Sequence, residues 1–151
     1  MMKKYTLTLI AVFTAAVLVL SACSLPAANA ETPKGLANTS WSLVSYGPAA
    51  SQTPAVANIE TSLVFGSNGA LSGNMGCNGF GGKYEVSDGS VTFSEVVSTL
   101  MACSNEQVMS QEQAAFRLLN GKVSYALTGS SLVLTDASGE NALTLSSVSS
   151  K

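Results

Sequence analysis

From Asn38 onward, apolar and polar positions alternate in short runs, several of them rich in β-branched residues and most closed by a Gly, Asn or Asp cluster. A period of two marks strands with one buried face, and the clusters mark the reversals between them. The pattern predicts strands at Trp41 to Tyr46, Thr61 to Phe65, Ala70 to Asn74, Gly82 to Val86, Ser90 to Phe93, Val96 to Leu100, Lys122 to Leu127, Ser131 to Thr135 and Ala142 to Leu145. Gly66-Ser67-Asn68-Gly69, Asp88-Gly89, Gly129-Ser130 and Ser138-Gly139 suit tight turns. The Ala-, Ser- and Pro-rich stretch from Pro48 to Asn58 reads as a surface loop.

One segment changes period. Val108, Gln111, Ala115, Leu118 and Leu119 share a face at helical spacing, with Phe116 beside them. Ser104-Asn105-Glu106-Gln107 has the form of a capping box with Ser104 as the cap, and Asn120-Gly121 supplies the stop. Strands on both sides of a single helix predict an α+β domain. Its sheet is antiparallel and strongly bent, barrel-like or a roll, with the helix packed on its apolar face or open end.

The amino terminus reads differently. Lys3 and Lys4 precede an apolar run from Leu7 to Leu20, which is shorter than a membrane span and matches the charged and apolar regions of a secretory signal. Leu20-Ser21-Ala22-Cys23 then resembles a bacterial lipobox, with Cys23 lipidated and first in the mature chain. The alternative is an ordinary signal cut after Ala30. The expected division is a signal over 1–22, a Pro- and Ala-containing tether over 23–37 and one folded domain over 38–148.

Composition narrows the chemistry. The 151 residues include no His, and their net charge is −2; cleavage before Cys23 removes Lys3 and Lys4 and leaves −4. Such a charge argues against nucleic-acid binding. The missing His removes Ser-His-Asp and Cys-His nucleophiles and the commonest zinc ligand. Three Cys is an odd number for an exported chain. With Cys23 lipidated, Cys77 and Cys103 remain as one pair, and an oxidising compartment makes a disulfide the default, with two buried free thiols as the alternative.

The five glycines between Gly73 and Gly82 suit a bulge and a tight turn. They do not have the spacing of a phosphate-binding loop: Cys77 stands where a Walker motif needs Gly, and Tyr84 follows Lys83. Asn78 suits a turn in which it bonds its own backbone. Trp41, Phe80, Tyr84, Phe93, Met101 and Phe116 are expected in the core, or in part around a small apolar pocket. Glu85 with Asp88, and Asp136 with Glu140, flank turns, whereas Glu106 with Glu112 falls on the expected helix surface; all read as solvated charges. No metal site or cofactor is expected.

The runs Gly73-Asn74-Met75-Gly76-Cys77-Asn78-Gly79-Phe80-Gly81-Gly82-Lys83-Tyr84 and Ser98-Thr99-Leu100-Met101-Ala102-Cys103, followed by the helix and Gly129-Ser130-Ser131-Leu132-Val133-Leu134, resemble the META domain (HslJ-like) family. The opening Asn38-Thr39-Ser40-Trp41 also matches. The resemblance implies a barrel-like or roll fold with one packed helix, and links to stress resistance. It singles out Gly76, Asn78, Phe80, Gly82, Tyr84, Thr99 and Met101 as motif residues with a structural or binding role. Leu100 departs from the family, which often has Arg there.

The expected function is that of a non-enzymatic cell-envelope lipoprotein, anchored to a membrane through Cys23 and acting by binding an envelope protein or supporting envelope integrity. In a two-membrane cell that places it at the outer membrane, and in a one-membrane cell on the outer face of the cytoplasmic membrane; cleavage after Ala30 would instead give a secreted protein. Alternatives are an inhibitor or binding module that uses the Pro48 to Asn58 loop, and a hydrolase that uses carboxylates among Glu85, Asp88, Asp136 and Glu140.

Overall fold

The computed structural model describes residues 35–148. The expected signal, Cys23 and the expected tether up to residue 34 lie outside the described residues. The strands are β1 (Thr39–Pro48), β2 (Thr53–Pro54), β3 (Ser62–Phe65), β4 (Ala70–Asn74), β5 (Gly79–Ser87), β6 (Ser90–Ser98), β7 (Gly121–Thr128), β8 (Ser131–Thr135) and β9 (Asn141–Ser147), with a single described helix α1 (Glu106–Leu118) between β6 and β7. Every pairing is antiparallel, and β1 also pairs with β9, which closes β1 and β3 to β9 into an eight-stranded barrel with β2 appended to β1.

Alternation places one side chain in two inside. Leu63, Phe65, Val91, Leu132, Leu134, Leu143 and Leu145 are all fully buried, so the interior is packed with side chains, as a small barrel requires. Closure removes the free edges that an open sheet would expose.

Register shifts help the sheet to bend. One lies in β1 between Leu43 and Ser45 opposite β9, and another in β5 between Gly81 and Lys83 opposite β6. At the second, Glu95 takes φ +53° and Gly82 lies close against the residues on either side of it: a Cβ on Gly82 would stand 2.8 Å from Val96 Cγ2 and 3.0 Å from the Ser94 carbonyl oxygen. The bulge therefore needs glycine at that point. It also explains why the two strands predicted at Ser90 to Phe93 and Val96 to Leu100 are one continuous element, which ends at Ser98.

The pairings define the two poles. Asn74 of β4, Gly79 of β5 and Ser98 of β6 lie together at one pole, because Asn74 pairs with Gly79 and Phe80 with Ser98. The chain enters at the other, where Thr39 pairs with Phe65. There Leu36 is buried, so packing begins inside the segment expected to be tether.

The helix serves the first pole. Its cap is Asn105, one residue later than expected: Asn105 Oδ1 accepts from the amides of Gln107 (2.9 Å) and Val108 (3.2 Å). Asn caps as well as Ser, and it leaves Ser104 outside the helix. Val108, Gln111, Glu112, Ala115 and Leu118 form the buried face, and Phe116 meets Phe80 edge-on at 5.5 Å. Trp41, Phe80, Tyr84 and Phe93 are buried as expected. The Pro48 to Asn58 stretch is more ordered than a free loop: the Ala55 amide donates to the Val44 carbonyl (2.8 Å) and the Val56 amide to Gln111 Oε1 (2.8 Å).

Candidate functional site

Most of the motif residues converge on the helix-covered pole. Strand β4 ends at Asn74, whose Oδ1 accepts from the Gly76 amide at 2.6 Å and whose Nδ2 donates to the Cys77 carbonyl at 3.3 Å. This folds the loop under α1. Gly76 holds φ +147°, and a Cβ there would stand 2.7 Å from Val108 Cγ1; the helix rests directly on the glycine.

Glu112 ties that loop to the helix. It is buried, and its Oε2 accepts from the amides of Asn78 (2.6 Å) and Cys77 (3.1 Å) while Oε1 accepts from Asn78 Nδ2 (2.7 Å). No cation pairs with it among the described residues; three N–H donors stabilise the carboxylate instead. Beside it, the fully buried Gln111 donates to the Met75 carbonyl at 2.7 Å.

Asn78 passes the contact on. Its Oδ1 accepts from Thr99 Oγ1 and from the Met101 amide, each at 2.8 Å. The carboxylate on one side and the N–H on the other fix which way the carboxamide points. The Thr99 amide donates to the Gly79 carbonyl at 3.0 Å. Two residues beyond Met101, Cys103 is joined to Cys77 by a disulfide, with Cα atoms 6.2 Å apart. A buried carboxylate, a buried carboxamide and a disulfide thus fix the β6–α1 loop to the Gly-rich loop.

Several expectations change here. Asn78 does not bond its own backbone; it bridges helix and loop. Met101 is not in the core: its backbone is held, but its side chain is 59% exposed beside Leu100 at 96%. Glu112 is not a solvated surface charge. Its position was available from spacing, since Val108, Glu112, Ala115 and Leu119 recur at intervals of four, three and four along one face; its charge argued for the surface, and the three donors outweighed that. Gly76, Cys77, Asn78, Thr99, Met101 and Cys103 come together. Phe80 lies just inside, Gly82 serves the bulge, and Tyr84 stands apart, its hydroxyl on the Gly66 carbonyl (2.6 Å) and its phenol pKa pushed up by burial.

Elsewhere the chemistry is spare. Asp136 Oδ1 accepts from Ser138 Oγ (2.9 Å) and the Glu140 amide (3.0 Å), and Oδ2 accepts from Asn141 Nδ2 (2.9 Å). It holds a turn, while Glu85, Asp88 and Glu140 are exposed. Among the described residues, no group of three His, Cys, Asp or Glu side chains is placed to hold a metal ion. Thr99 Oγ1 donates to a carboxamide, which is not a base, so it is not set up as a nucleophile. An open groove of about 410 Å³ is lined by Ser42, Glu60, Thr61, Ser62, Asn74 and Val148 on the outer wall.

The fold has solved relatives. A protein from Burkholderia xenovorans, determined by NMR, is 24% identical with a TM-score of 0.64 over 76% of this chain and 85% of its own. A second NMR structure is 27% identical with a TM-score of 0.60 over 76% of this chain and 93% of its own. No curated protein sequence matches the chain. The sequence profile of the META domain matches residues 34–149. With most of the motif residues gathered at one pole of the barrel and that match spanning the whole of it, the chain belongs to the META domain family.

Proposed function

We propose that this protein is a cell-envelope lipoprotein, anchored through Cys23, whose META domain works without catalysis by binding a partner and supporting the envelope under stress. The observation behind this reading is the pairing of Cys77 with Cys103. It suits an oxidising compartment, and it leaves Cys23, next to the apolar run, as the odd cysteine. In support of binding rather than hydrolysis, Glu112 at the site and Asp136 in its surface turn are each engaged by N–H donors from their own chain. Attachment needs more than a single acyl chain to be stable, which a lipidated first residue supplies.

Metabolic labelling with palmitate tests the anchor. The full chain incorporates label and fractionates with membranes, whereas Cys23→Ser does neither. Equal labelling of both forms would contradict the reading.

A further inference from the structure

The loop held by the motif presents its apolar side chains outward. Leu100 is 96% exposed and Met101 59%, and Val97, next to the loop at the end of β6, is 71% exposed. Scattered apolar surface needs no explanation, but a cluster on one braced loop marks a contact surface. The bracing is specific: Asn78 Oδ1 takes a hydrogen bond from Thr99 on one side of Leu100 and from Met101 on the other. Leu100 is therefore a convex knob on a fixed backbone, and only a concave pocket can bury it.

We propose that Thr99 to Ala102 is an inhibitory loop that occupies the substrate cleft of a serine endopeptidase with an apolar primary pocket, Leu100 filling that pocket. This rests on the reading of the domain as a binding module and names its partner class. It also moves the contact from the Pro48 to Asn58 loop, which is tied to β1 and α1, to the β6–α1 loop.

Two features favour this occupant. The first concerns the bond after Leu100. Its hydrolysis adds the oxygen of water to the Leu100 carbonyl carbon and leaves the proton on the Met101 nitrogen. That nitrogen is the one bonded to Asn78 Oδ1, and the chain beyond it is tied back through Cys103 to Cys77. The new amine is thus held against the acyl group rather than released, so the loop resists turnover while it occupies the cleft. The second is its placement. The loop lies at the pole opposite the one where the chain enters the barrel, and the nearest charged side chains along the sequence, Glu95 and Glu106, are acidic. An anionic lipid surface suits neither feature.

The test uses the full chain in mild detergent with chymotrypsin and a chromogenic peptide. The expected result is competitive inhibition that Leu100→Gly weakens at least about tenfold, with the chain outlasting a free peptide of residues 96–105. Leu100→Arg is expected to transfer inhibition from chymotrypsin to trypsin, whose primary pocket is acidic. No inhibition at about 100 μM chain, a level that excludes even weak specific binding, would overturn the proposal. So would equal inhibition by Leu100→Gly, or hydrolysis after Leu100 as fast as in the free peptide. Sedimentation with phosphatidylcholine vesicles that Leu100→Gly abolishes, without inhibition, would assign the loop to lipid instead. None of these results depends on palmitate at Cys23, so the anchor and the inhibitory loop fail separately.

Discussion

Two side chains decide the character of the site. A buried carboxylate is costly unless N–H groups meet it, and Glu112 meets three, all from Cys77 and Asn78. Asn78 then spends both ends of its carboxamide, one on the helix and one on the β6–α1 loop. Asp136 shows the same physics on the surface. Its bond from Asn141, aided by those from Ser138 and the Asn141 and Glu140 amides, lowers its pKa to about 2. Because the folded value lies below the unfolded one, this stabilisation is fully present above about pH 4 and is lost as the pH falls toward 2. Acid titration of thermal stability is expected to show a step in that window that Asp136→Asn removes; an unchanged profile would contradict the assignment.

At the scale of elements, the helix and the two loops behave as one unit. The disulfide closes a segment of sequence separation 26 that contains all of β5, all of β6 and the loop. On the chain-entropy estimate, its loss costs roughly 3 to 4 kcal/mol. Urea unfolding with and without reductant is expected to differ by about that much; coincident curves would show that the bridge does not constrain the unfolded chain. Alternation and turn residues placed every long strand to within a few positions, and helical spacing placed α1, since both periods follow from backbone geometry. The joining of two predicted strands into β6 was not legible, because it depends on a bulge that sets Gly82 against Val96 in a neighbouring strand. The edge pair Thr53–Pro54 has no alternation to read. Met101 looked like core because it is apolar, and it lies outside because Asn78 takes its amide.

At the scale of the whole molecule, β1 closes on β9 around an interior filled with side chains. The entering pole is packed by Leu36 and Trp41; the other pairs a buried polar network with an exposed apolar loop. The cysteine motifs are legible in the sequence as a pair and helical spacing puts Glu112 on the buried face, but its bonds to Cys77 and Asn78, 35 and 34 residues back in the chain, follow only from the fold. This network fixes the loop on the barrel. Hydrogen exchange at the Met101 amide, in the native chain and in Glu112→Gln, tests it most directly. This amide is expected to be protected although its side chain is exposed. In Glu112→Gln that protection should fall at least about tenfold while core amides such as Leu134 stay protected, because the new amide group opposes donors where an acceptor is needed. A Met101 amide that exchanges at the unprotected rate in the native chain, or protection that Glu112→Gln leaves unchanged, would contradict it.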